Sequence, residues 1–120
     1  MAIKTAGGVS AETAGASALA LSLLPVSPAD PPGMHGPHLH ERHETALYVQ
    51  EGRLVVRHGD WLQEETVVDA GEFLFLPAGE VHALGCADGQ PCRVVVASSN
   101  PSAQDATQPL PELTPLLRAA

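Results

Sequence analysis

At 120 residues and 12.4 kDa, with 44% hydrophobic and 17% charged residues, the chain is sized for one compact domain, which excludes a two-domain architecture. Eleven prolines and eleven glycines beside only four aromatic residues break it into short elements, which argues against a helix bundle. Fourteen acidic against six basic residues give a formal charge of -8, a field that repels phosphate backbones and anionic headgroups and makes nucleic acid and membrane surfaces poor partners.

Residues 1–15, rich in Ala, Gly, Thr and Ser, lack apolar periodicity and are expected to form a mobile arm ahead of a domain spanning residues 16–99. The apolar run from Ala18 to Leu24, with Lys4 upstream, is short enough for a signal peptide. Its alternation of Leu19, Leu21 and Leu23 suits a first strand at least as well. The strand reading is adopted, and a cytoplasmic protein is expected with it. No stretch approaches the roughly 20 apolar residues that span a bilayer.

Residues 25–36 hold Pro25, Pro28, Pro31, Pro32 and two glycines, a loop rather than a helix or central strand. Residues 37–41, 44–50, 53–58, 61–68, 72–76, 81–86 and 93–98 then read as strands. Their separators, such as Glu51-Gly52, His58-Gly59-Asp60 and Pro77-Ala78-Gly79, are turn signals. Many short strands at this spacing indicate an all-β antiparallel sandwich or barrel. The tail, residues 100–120, carries four prolines and then Leu113, Leu116 and Leu117, a helical turn or two that packs on the barrel or on a partner subunit. Cys86 and Cys92 flank a turn-like stretch and either bridge across a hairpin or remain free.

Four of the six histidines, His35, His38, His40 and His43, fall within nine positions, with Glu41 and Glu44 among them. Side chains two apart on a strand share a face, so His38 and His40 can aim at one point, and Glu44 at the start of the next strand can add a carboxylate. An N, N, O donor set of this kind suits Fe, Mn, Ni, Co or Zn; a solvated surface loop is the other reading of such a turn. A second segment, Gly71-Glu-Phe-Leu-Phe-Leu-Pro77-Ala-Gly79-Glu-Val-His82, sets a histidine at the start of a strand returning from a tight turn.

Together these segments resemble the two motifs of the cupin superfamily. The first appears as His38-Leu-His40-Glu-Arg-His-Glu44 followed by Gly52; the second is matched at Gly71, Pro77, Gly79 and His82, ending in Cys86 where the family has Asn. Counting back from Gly52 by the family spacing reaches Thr45, a poor ligand, and Glu44 is assigned instead. The resemblance covers roughly residues 17–98 and implies the cupin double-stranded β-helix, a small antiparallel jelly roll. It implies one divalent transition metal, Fe or Mn first and Ni, Co or Zn as alternatives, held by His38, His40, Glu44 and His82 with positions left for a substrate or dioxygen. It also implies a homodimer, for which Leu47 and Val49 are read as outer-face contacts.

Parity with Glu44 places Tyr48 and Gln50 inward, so Tyr48 is either a catalytic hydrogen-bond donor to substrate or a packed core tyrosine. Parity with His82 places Leu84 and Cys86 inward, so Cys86 is either a thiol near the metal or a small core residue. His43 is expected at the surface, His35 at the barrel mouth as a solvated group or an acid or base, and His58 in a turn without a role. Trp61, Phe73 and Phe75 are read as core or subunit interface. The functional expectation is a metal-dependent enzyme acting on a small polar, metal-chelating substrate, dioxygenase-like or else an isomerase or lyase. The alternative is a binding or sensing module that holds its ligand without turnover.

Overall fold

Side chains alternating between apolar and polar every second position give strands one wet and one dry face, and two such sheets close over a shared core. The computed structural model describes residues 1–27, 38–40, 43–100, 107–113 and 115, with 38–40, 88 and 107–109 described through their backbone. Its strands are β1 (Ala20–Val26), β2 (His38–His40), β3 (Thr45–Glu51), β4 (Arg53–His58), β5 (Glu64–Asp69), β6 (Phe73–Leu76), β7 (His82–Cys86), β8 (Cys92–Ser98) and β9 (Thr107–Pro109). One sheet runs in the order β1-β8-β3-β6 and the other β5-β4-β7-β2-β9, every pairing antiparallel. This two-sheet jelly roll is the expected all-β class.

The core between the sheets is built from Val26, Leu47, Val49, Leu54, Val56, Val68, Leu76, Leu84, Cys92 and Val94. Seven of the nine strands contribute to it, so the sandwich has one interior. At the β3–β4 turn the backbone of Gly52 takes a φ of 87°, and a Cβ there would stand 2.7 Å from the Pro91 carbonyl oxygen, so only glycine fits.

Several expectations are corrected. Leu47 and Val49 lie in the core, at 2% and 0% exposure, and not on an outer face. The strand read over residues 61–68 begins only at Glu64, because Leu62 takes a left-handed φ of 55° inside the preceding turn. Its carbonyl is held there by the Arg57 guanidinium, with Nε at 3.0 Å and Nη2 at 2.7 Å. Trp61, Phe73 and Phe75 are exposed, with both phenylalanines pointing away from the core on the edge strand β6, which removes the core alternative of their reading and leaves that of a subunit interface. Part of the segment read as a mobile arm is tied down: Val9 and Leu21 exchange backbone hydrogen bonds at 2.7 and 2.8 Å, and residues Ala11–Ala14 form one helical turn behind a Ser10–Thr13 capping box.

The tail also contributes to the fold. β9 pairs with β2, and a following single 3₁₀ turn, Pro111–Leu113, buries Leu113 against Leu62, Val81 and Ala83 on the outer side of the five-stranded sheet. Leu116 and Leu117 lie outside the described residues, as do His35 and Glu41.

Candidate metal centre

Strand register brings three histidines into one row. His82, the first residue of β7, is the partner of His38 on β2 and of His58 on β4. Directly opposed residues of an antiparallel pair project to the same face. On β7 that face carries Leu84 and on β4 it carries Leu54 and Val56, all of them core residues, so His58 and His82 project into the sandwich at one end. His82 is 3% exposed. Its Nδ1 lies 2.9 Å from the Glu80 carbonyl oxygen; a carbonyl only accepts, so Nδ1–H donates and the ring's lone pair sits on Nε2. A buried imidazole with its tautomer set by a backbone carbonyl is the form in which histidine ligates metals. The donor chemistry therefore fits the ion that the sequence motifs imply. His38 and His40 are placed by their backbone on β2; their side chains are outside the described atoms.

The neighbouring sheet supplies His43, and here the sequence reading needs correction. His43 is 8% exposed and shares its parity with Thr45, Leu47 and Val49, the inward residues of β3. Glu44 is exposed and projects the other way. The offset is locked by cross-strand pairing: the Glu44 N–H donates to Ser99 Oγ at 2.9 Å, and the Ser99 N–H donates to the Glu44 carbonyl at 3.1 Å. Glu44 instead lines a shallow concavity of about 340 Å³ on the outer face, with Leu21, Ala46, Phe75 and Ala97. Tyr48 follows Glu44 outward, where its ring tilts 46° against Phe73 at a centroid separation of 4.8 Å. On the outer face it stands away from the interior in which a catalytic donor was expected.

Cys86 ends β7 four residues from His82, about 13 Å along the strand, too far for a thiol near the metal. Its Sγ donates to the Val26 carbonyl at 3.1 Å, and Cys92 Sγ donates to the Arg53 carbonyl at 3.0 Å. Both cysteines are free, which answers the question of a bridge. Burial, reinforced by the adjacent Cys86 side chain, pushes the Cys92 thiol from 9.0 up to about 11.

Two histidines face inward that the sequence reading placed elsewhere. His43 was legible from the alternation of Leu47 and Val49 and from the spacing to Gly52, both of which mark Thr45 as an inward position. His58 was assigned to a turn without a role, yet it is the last residue of β4 and keeps the inward parity of Leu54 and Val56.

A β-sandwich with a histidine row at one end, framed by the His38-x-His40 and Gly71-to-His82 segments, is a recognisable combination, and the family described as Cupin domain matches residues 29–98. The chain belongs to the cupin family. Among solved structures, this cupin is similar to the polyketide cyclase RemF from Streptomyces resistomycificus, at 32% identity and TM-score 0.65. That match covers 80% of this chain and only 63% of the cyclase. A Klebsiella pneumoniae protein with a double-stranded β-helix domain shares 14% identity at TM-score 0.65, with 90% of this chain and 88% of that one covered. A cupin-2 domain protein from Shewanella frigidimarina shares 19% at TM-score 0.58, covering 79% and 81%. No curated protein matches the chain. Among the described residues no helix is long and apolar enough to cross a membrane.

Proposed function

We propose that this cupin is a metal-dependent enzyme acting on a small, polar, metal-chelating substrate, with one divalent transition ion held by His38, His40, His82 and His43, the last in place of Glu44. The observation that carries the reading is the buried His82, its Nδ1–H fixed by the Glu80 carbonyl and its strand in register with His38. When bound, such an ion polarises a substrate carbonyl. The protein's own residues do the rest. The Glu80 carbonyl orients the His82 ring, the Ser99–Glu44 pair holds His43 inward, and Leu47, Leu54, Val56, Leu84 and Val94 pack the interior beyond the histidines. That packing confines a substrate to the histidine end and keeps water from the far side. The 32% identity with a polyketide cyclase favours carbon–carbon or proton-transfer chemistry on a polyketone-like substrate over oxidation.

Elemental analysis of protein made without a histidine tag tests the ligand set. One tightly bound ion per chain, lost in His82→Ala, weakened in His43→Ala and retained in Glu44→Ala, is the expected result; loss in Glu44→Ala restores the carboxylate ligand. Incubating metal-loaded protein with polyketones and following dioxygen uptake tests the chemistry. Turnover without dioxygen consumption supports the reading, stoichiometric uptake favours a dioxygenase, and binding without turnover favours a sensing module.

The proposal includes a homodimer through the outer face of the four-stranded sheet. Its rows are apolar in register: Leu21, Ala97, Ala46 and Phe75, then Leu23, Val95, Tyr48 and Phe73. Exposed Glu44 and Arg93 stand at opposite ends of its two central strands. A two-fold axis lying across the strands brings Glu44 of one copy over Arg93 of its partner, which makes a second copy the complementary occupant. Glu44→Arg or Arg93→Glu alone is expected to yield monomers in sedimentation, and the double swap to restore dimers.

A further inference from the structure

Beyond the row described above, His58 has polar neighbours that the barrel ion does not use. Its register partner on β5 is Glu64, and Thr66 follows on the same face. The turn before β7 is drawn against the end of β4 by the Gly59 N–H donating to the Val81 carbonyl at 3.0 Å, which delivers Glu80 from the other side. Gly59 itself has a φ of 101°, a backbone conformation that strains any residue with a Cβ. The result is a group in which His58 Nδ1 lies 3.1 Å from Glu80 Oε1 and 3.4 Å from Glu64 Oε2, with one donor atom from each residue within 4.8 Å of the others.

The same separations, a hydrogen bond and an ion pair in the metal-free group, also fit the edges of a coordination shell. With ligands at about 2.1 Å from an ion, neighbouring donors stand about 3.0 Å apart in an octahedron and about 3.4 Å apart in a tetrahedron. Thr66 Oγ1 lies 2.9 Å from His58 Nε2 and fixes the ring, the support a ligating histidine ordinarily has. Two carboxylates around one imidazole form an anionic group on a chain of charge -8. Arg57, the cation next along β4, is committed to the Leu62 carbonyl. A divalent cation would balance the two carboxylates.

We propose that His58, Glu64 and Glu80 form a second divalent-cation site of N, O, O type at the mouth of the sandwich, separate from the ion held by the buried histidines. Glu64 is 63% exposed at its side chain, so this ion exchanges with solvent and binds more weakly than the interior one. Glu80 joins the two sites: its carboxylate faces the mouth ion and its carbonyl orients His82. Occupancy of the mouth therefore stiffens the turn that positions the interior ligand.

Equilibrium dialysis of full-length, chelator-stripped protein against Mn(II) and, separately, Zn(II), with elemental analysis, tests the site. Wild type is expected to bind two equivalents of different affinity. Glu64→Gln and Glu80→Gln, chosen because they keep side-chain size at a partly open site, are expected to weaken the looser class at least tenfold while His82→Ala removes the tighter one. Thermal melts of the two glutamine variants check that the fold is kept. Loss of one equivalent in Glu64→Gln but none in His82→Ala keeps the mouth site and removes the interior reading. Identical stoichiometry and affinity in wild type and both glutamine variants overturns the mouth site and leaves His58 an ion-paired side chain.

Discussion

The outward faces of the two sheets differ in what covers them. On the five-stranded sheet, Ala83 and Val81 are covered by the chain's own tail, where Leu113 is 9% exposed against Leu62. On the four-stranded sheet, Phe73 and Phe75 stay 76% and 56% exposed at one edge, in the same cross-strand rows as Leu21 and Leu23 at the other. The described residues of the tail cover one face and none of them reaches the other, so an apolar face has an intramolecular contact on one side and is exposed on the other. A hydrophobic pattern reports that a face seeks cover, not where the cover comes from.

Four measurements break or sharpen this contrast. Leu113→Ala removes the covered face's anchor and is expected to cost about 2–3 kcal/mol in urea unfolding, with the tail newly open to proteolysis; a loss near zero means the tail is not part of the domain. Phe75→Ser on the bare face leaves monomer unfolding within about 0.5 kcal/mol and raises the dimer dissociation constant at least tenfold, about 1.4 kcal/mol, by sedimentation. If the monomer itself loses stability, the face is covered intramolecularly after all.

The shared interior gives the background for both. The Cys92 thiol is raised from 9.0 to about 11 in the folded state, so the native protein holds this proton more tightly than the unfolded chain. The stability tied to it is complete below pH 9, and about 2–3 kcal/mol is lost as the pH rises through about 11. Denaturation midpoints against pH, in wild type and Cys92→Ala, check the sign: the alkaline loss shrinks in the variant. The smallest effect belongs to the exposed pair of Arg53 and Asp69, 2.7 Å apart with both side chains 53% exposed. Arg53→Ala is expected to change stability by no more than about 0.5 kcal/mol, and less at high salt.

Much of the fold was legible in the chain, because strand alternation and turn glycines act over a few residues. Segments 44–50, 53–58 and 93–98 lie within a residue of β3, β4 and β8. What misled was chemistry ranked above pattern: Glu44 is a better ligand than Thr45, so it was read as inward against the evidence of Leu47 and Val49. The His58 cluster was illegible for another reason. Glu80 is 22 residues away in the chain, and no local signal carries that approach.

The sequence by itself determined the all-β class, the strand order along the chain and the presence of a ligand-type histidine set, since periodicity, turn chemistry and residue identity are local properties. Only the tertiary structure decided that His43 and not Glu44 faces the core, that His38, His82 and His58 share a row, and that one sheet is covered while the other is bare. Those outcomes depend on register, which is set by hydrogen bonds such as Ser99 to Glu44 between residues 55 apart, and a one-residue shift in register sends every side chain of a strand to the opposite face.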